Sequence, residues 1–141
     1  MRKVRTPPSE KRPMSKVTEI TIDGRVIVKK NSRQARTNRK TGGRYTAPSA
    51  AFERFEADAL RQMEKKNLLG LNLVPPYRIS YWFGMKGLLD SDLDNMIVSI
   101  NDILQAARII RDDKQIVAFG PSGKCAGGEK FETIIKIESG L

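Results

Sequence analysis

Two stretches decide the fold: YRISYWF at residues 77–83 and, after a loop, DLDNMIVSINDILQAARIIRDDKQIVAF at residues 92–119. In the first, Tyr77, Ile79, Tyr81 and Phe83 alternate with Arg78, Ser80 and Trp82, the period of a strand, and the aromatic and β-branched content predicts a central one. In the second, Leu93, Met96, Ile97, Ile100, Ile103, Leu104 and Ala107 recur at spacings of three and four. That is the buried face of a helix, with Asn95, Ser99, Asn101, Asp102 and Gln105 falling mostly on the other side. A charged connection at residues 108–114 then leads into a further strand at residues 115–119.

Upstream, Phe52, Phe55, Ala59, Leu60 and Met63 mark another amphipathic helix, starting at Pro48 and Ser49 and ending near Asn67, before Gly70. Residues 17–22 alternate as a strand, Asp23-Gly24 supplies a turn and residues 25–28 resume a β-rich run, so a short hairpin is expected. Residues 29–44 read as a basic, glycine-bearing loop, longer than packing alone requires. Downstream, residues 120–128 form a glycine-rich turn region and residues 130–137 a last strand. There is no internal repeat. The order β-β, loop, α, β, α, β, β predicts an α+β fold: a single compact domain over residues 17–141, with a small mixed or antiparallel sheet packed by two helices. Residues 1–16, with three prolines among charges, are expected to be a flexible basic arm.

Composition narrows the chemistry. The 141 residues include one cysteine and no histidine. A disulfide framework, a multi-thiolate zinc site and every mechanism built on an imidazole are therefore excluded. The formal charge of +10 is unevenly spread: residues 1–46 carry 14 Lys or Arg against 3 Asp or Glu, while residues 47–141 carry 12 against 13. Apolar residues follow the reverse trend, so the core belongs to the second part. A cationic segment on a near-neutral body suits a polyanion, where neutralised phosphates release counterions. No stretch approaches the length of a bilayer span and no secretory signal opens the chain, so a cytoplasmic protein with no membrane association is expected.

If the chain catalyses anything, carboxylates must do it. Six acids lie between Asp90 and Asp113: Asp90, Asp92, Asp94, Asp102, Asp112 and Asp113. Grouped carboxylates repel unless cations offset them, and magnesium or manganese suits an all-oxygen set. Such a set serves phosphodiester hydrolysis. The same residues equally suit helix capping and an Asp-Asp turn. The two groups flank a helix of about 14 residues, roughly 20 Å long at 1.5 Å per residue, so they meet only if the connection folds back along it.

The run Asp92-Leu93-Asp94-Asn95, Asp102 ten residues after Asp92, and Asp112-Asp113-Lys114-Gln115-Ile116 resemble the signature of the RusA family of Holliday junction resolvases. Lys30-Asn31-Ser32, Tyr45-Thr46 and the Phe52 helix extend the likeness weakly upstream, over most of residues 17–138. The resemblance implies a homodimeric, Mg2+- or Mn2+-dependent endonuclease that introduces paired nicks into four-way DNA junctions, encoded by a bacterium or a phage. It implies Asp92, Asp94 and Asp113 as catalytic metal ligands, with Asp112 as a supporting or capping group. One position departs: the family's lysine six residues after the first aspartate is Val98 here, for which Lys114 or Lys86 could substitute. Arg33, Arg36, Arg39, Lys40 and Arg44, with Lys86 and Lys114, are assigned to phosphates; as contacts that position without reading bases, they suit recognition of junction shape. Leu68, Leu69, Leu71 and Leu73 are either a subunit contact or ordinary core. The alternative to the enzyme is a non-catalytic nucleic-acid-binding protein derived from such a nuclease, and Cys125 has no assigned role.

Overall fold

The computed structural model describes residues 16–28, 33–37, 39–87 and 91–141; for residues 33–37 and 44–48 it describes the backbone alone. Residues 1–15 of the expected arm and Asp90 lie outside the described residues, as do Lys30, Asn31 and Ser32 of the weaker likeness.

The sheet is built around its last strand. We number the strands β1 (Lys16–Asp23), β2 (Arg33–Thr37), β3 (Arg44–Pro48), β4 (Tyr77–Gly84), β5 (Ile116–Phe119), β6 (Gly123–Cys125) and β7 (Glu132–Ser139), and the helices α1 (Ala50–Lys65) and α2 (Leu93–Ala106). Strand β7 lies between β1 and β4, antiparallel to both, and its Ser139 faces Lys16 on one side and Tyr77 on the other. Strands β5 and β6 pair with β4 in parallel, β5 along its first half and β6 along its end. The result is a mixed five-stranded sheet in one small α+β domain with two helices, and β2 and β3 form a separate two-stranded ladder.

The period-two patterns orient this sheet. On β4, Tyr77, Ile79, Tyr81 and Phe83 are buried and Arg78 and Trp82 exposed; Ile20 and Ile22 of β1 and Ile135 and Ile137 of β7 join the same buried side. Both helices contribute to this core, α1 through Phe52, Phe55, Ala59 and Met63, α2 through Met96, Ile100, Ile103 and Leu104. Helix α1 starts where its cap allows: the Ser49 hydroxyl accepts from the Phe52 N–H at 3.2 Å. At the end of β5 only a glycine fits, because a Cβ on Gly120 would stand 2.0 Å from the Ser80 hydroxyl.

Several expectations change. Residues 25–28 are not the second arm of a hairpin; β1 pairs with β7 instead, and Val26 and Val28 are buried in the core. The turn at Gly24 (φ 114°) redirects the chain while its N–H still reaches the Phe131 carbonyl, extending the β1–β7 ladder rather than closing a local one. The basic loop contains β2, which pairs with β3 at the loop's end, and the glycine-rich turn region contains β6. Leu73 is core, Leu68 and Leu71 pack against it, and Leu69 alone of the four is exposed, so that run is mostly core. Ser99 and Asn101, expected on the solvent side of α2, are buried; the Asn101 side chain accepts from the Tyr81 hydroxyl across the sheet–helix interface.

Candidate functional site

Helix α2 organises the acids. Asp92 is its N-cap residue, and its carboxylate accepts from the Asn95 side-chain amide at 3.3 Å instead of from the helix backbone. Asp94 lies in the first turn, where its negative charge suits the helix dipole, and it accepts from the Asn95 N–H at 2.9 Å. Both carboxylates are exposed. The D-x-D-N run is therefore a folded unit in which one asparagine ties two aspartates to the opening of the helix.

Asp113 approaches from the other end. After α2 the chain turns back into a short 3-10 turn over Asp113–Gln115, capped by Asp112, whose carboxylate accepts from the Lys114 N–H at 2.9 Å. The Asp113 N–H donates to the Gln105 side-chain carbonyl at 3.3 Å. The connection therefore turns back only to the last turns of the helix, at Gln105 and the field of Asp102, and does not bring Asp113 into one ligand group with Asp92 and Asp94. Partial burial, then the hydrogen bond and charge of neighbouring Asp112 and the charge of Asp102, push the pKa of the Asp113 carboxyl up from its ordinary value. Asp112 is pushed down, chiefly by its bond from the Lys114 backbone. Burial pushes the Tyr81 hydroxyl up, and the Asp113 charge pushes the same way.

The acids thus stand in two groups: Asp92 and Asp94 at the start of α2, and Asp102, Asp112 and Asp113 near its end. Asp94 and Asp102 are separated by two turns, about 12 Å along the axis. They share one side of the helix with Val98, which is 53 % exposed, and Gln105. Among the described residues no three acidic or thiol side chains come together as a ligand set for a metal ion. Asp92, Asp94 and Asp113 are compatible with a hard cation in donor type, all carboxylate oxygens, but not in arrangement as a single three-ligand centre. Beside Asp113, the side-chain oxygen of Gln115 is buried with no hydrogen-bond partner.

Of the cations assigned to phosphates, Arg39 and Lys40 are exposed in the turn between β2 and β3, and Lys86 and Lys114 are exposed on their loops. The side chains of Arg33, Arg36 and Arg44 lie outside the described residues; their backbones fall on β2 and β3, where Arg36 faces Tyr45 and Thr37 faces Arg44 in the register. Lys124 on β6 was not singled out by sequence. Its ammonium donates to the carbonyl of Ser91, immediately before Asp92. Parallel pairing of β6 with the end of β4 brings it there, and a lone lysine in a glycine-rich turn gives no sequence signal of that pairing.

The chain matches no family model and no curated protein.

Proposed function

We propose that this protein is a structure-selective DNA endonuclease of the RusA type, acting in the cytoplasm of a bacterium or its phage. It would cut four-way junctions as a homodimer and leave paired nicks. The observation that carries the proposal is that the Asp112-Asp113 turn comes back to the last turn of α2, so that both acidic groups belong to the one helix that opens with Asp92 and Asp94. The raised Asp113 carboxyl supports it, because crowded carboxylates are relieved by a divalent cation. When bound, Mg2+ or Mn2+ would activate water and neutralise charge on the scissile phosphate. Asp92 and Asp94 would hold the ion at the start of α2, while Asp113, near the other end of the helix, is not placed to share it. Lys124, anchored at Ser91, would supply the positive charge that Val98 lacks. The exposed Arg39 and Lys40 would grip the backbone, together with Arg33, Arg36 and Arg44 of the same ladder.

A twofold dimer suits paired incision because it supplies two active sites. The outer edge of β5, unpaired among the described residues and with Val117 and Phe119 exposed, leaves an apolar margin on the sheet to support it.

A second reading is favoured by the separation of the two acidic groups and by Val98: a protein that binds branched DNA without cutting it. One experiment separates the two. The protein is incubated with a synthetic four-way junction in Mg2+, Mn2+ or EDTA and the products are resolved on a denaturing gel. Paired, metal-dependent nicks that vanish in Asp94→Asn establish the enzyme. Salt-sensitive binding with no cleavage in either metal establishes the second reading, and binding that is flat with salt removes both.

A further inference from the structure

At the end of α2, Arg108 and Arg111 line one open cavity. Gly70, Asn72, Gln105, Arg108, Ile110 and Arg111 enclose about 580 Å³. The walls are held by the backbone: Gly70, Asn72 and Leu73 donate to the carbonyls of Ala107, Arg108 and Ile109 at 2.8–2.9 Å. Arg111 is oriented twice, through its N–H to the Tyr77 hydroxyl at 3.2 Å and through Nε to the Asn72 side-chain oxygen at 2.9 Å. Among the described residues no carboxylate forms an ion pair with Arg108 or Arg111.

The backbone here is also unusual. Arg108 has φ 55° and Asn72 φ 47°, and both line the cavity. A left-handed residue just past a helix end is ordinarily glycine, since a side chain is strained there. An arginine at that point keeps a side chain where the backbone alone would favour none, and it lines the same cavity as a second arginine, neither of them ion-paired among the described residues.

We propose that this cavity is a phosphate subsite that receives a backbone phosphodiester of the bound DNA. Guanidinium groups engage phosphate oxygens through paired N–H bonds, and two of them flanking one opening suit a diester better than a point charge would. Gln105 connects the cavity to the acids, because it lines the cavity and accepts from the Asp113 N–H. A strand anchored at Arg108 and Arg111 would run past Asp113. The inference rests on the DNA-binding part of the proposed function, not on cleavage.

The test uses the full-length protein in EDTA and measures junction affinity by fluorescence anisotropy across a salt series. Arg108→Gly removes the charge and relieves the backbone, so a folding defect is not expected to mimic the effect. It should weaken binding about tenfold and reduce the salt slope by about one; Arg111→Gln should act similarly. Arg54→Gln, an equal charge loss on exposed α1, should change affinity less than twofold. An Arg108→Gly protein that binds like the Arg54→Gln protein overturns the proposal. Titration of inorganic phosphate and of the dinucleotide pTpT, followed on the Arg111 Nε–H resonance, separates the sources: a response to pTpT at lower concentration supports the diester, and a response to inorganic phosphate alone overturns it. Cleavage in Mg2+ is scored separately. A protein that never cuts but loses binding in Arg108→Gly keeps the subsite and loses the nuclease, and one that cuts but binds unchanged does the reverse.

Discussion

Replacing Tyr81 by Phe tests the contact that joins the sheet to the helix of acids. Tyr81 is fully buried, and its hydroxyl donates to the side-chain oxygen of Asn101, itself 7 % exposed. The substitution removes only one oxygen and leaves no cavity that a neighbour must fill. It does strand the Asn101 oxygen in the core, away from water. A buried acceptor left without its donor costs about 1–3 kcal/mol, more than the net value of an ordinary hydrogen bond, because the desolvation is no longer offset. For a chain of this length that corresponds to a Tm lower by roughly 3–9 °C. Urea unfolding should show a lower midpoint with an unchanged slope, since the surface exposed on unfolding is the same. The double variant Tyr81→Phe/Asn101→Leu, which removes both polar partners, should recover part of the loss, and the cycle isolates the pair from the rest of the core. A Tyr81→Phe protein within about 0.3 kcal/mol of the parent, or a double variant no better than the sum of the singles, would refute the claim that this hydrogen bond joins β4 to α2.

Other outcomes follow from the same geometry. Gly120→Ala should cost about 1–3 kcal/mol in thermal or chemical unfolding, because its Cβ would meet the Ser80 hydroxyl at 2.0 Å and the Ser80 Cβ at 3.3 Å. Asp113→Asn should stabilise the fold by about 0.5 kcal/mol near neutral pH, the scale of exposed charge pairs. The sign follows from the raised Asp113 carboxyl: the folded state binds that proton more tightly than the unfolded state, so stability falls as pH rises from the ordinary carboxylate range through the higher folded value. Parallel acid titrations of unfolding should therefore differ in that window and converge below it; identical profiles would remove the assigned repulsion. Lys124→Ala should reduce cleavage of the junction about tenfold or more with little change in DNA affinity, and an unchanged rate would remove the lysine from the site.

The local elements were legible because their signals are local. The period of two in residues 77–83 and the spacing of Met96, Ile100, Ile103 and Leu104 reflect which side chains avoid water, and that is the side the structure buries. The pairing was not legible. Nothing in residues 16–23 points to a partner more than a hundred positions away, whereas Asp23-Gly24 followed by an apolar run resembles a local hairpin closely enough to mislead. The polar face of α2 was misjudged at Ser99 and Asn101 because hydrophobicity patterns do not register a buried polar residue whose hydrogen bond is supplied by another element. At the candidate site, sequence identified the acids but not their separation. The turn that returns Asp113 to Gln105 depends on backbone geometry at residues 107–112; the two arginines gain their neighbours through the backbone bonds from residues 70–73, and Lys124 through the parallel pairing of β6 with β4.

The place of β7 in the sheet has a consequence for biosynthesis. Strands β1 and β4 are not neighbours in the sheet; they are joined across β7, which is synthesised after both. The nascent chain must therefore carry β1 with its ladder unsatisfied until β7 has been made, and the sheet closes in a long-range step that is slow by topology. A ribosome stalled before residue 132 would hold a chain with both helices synthesised and no means of joining β1 to β4.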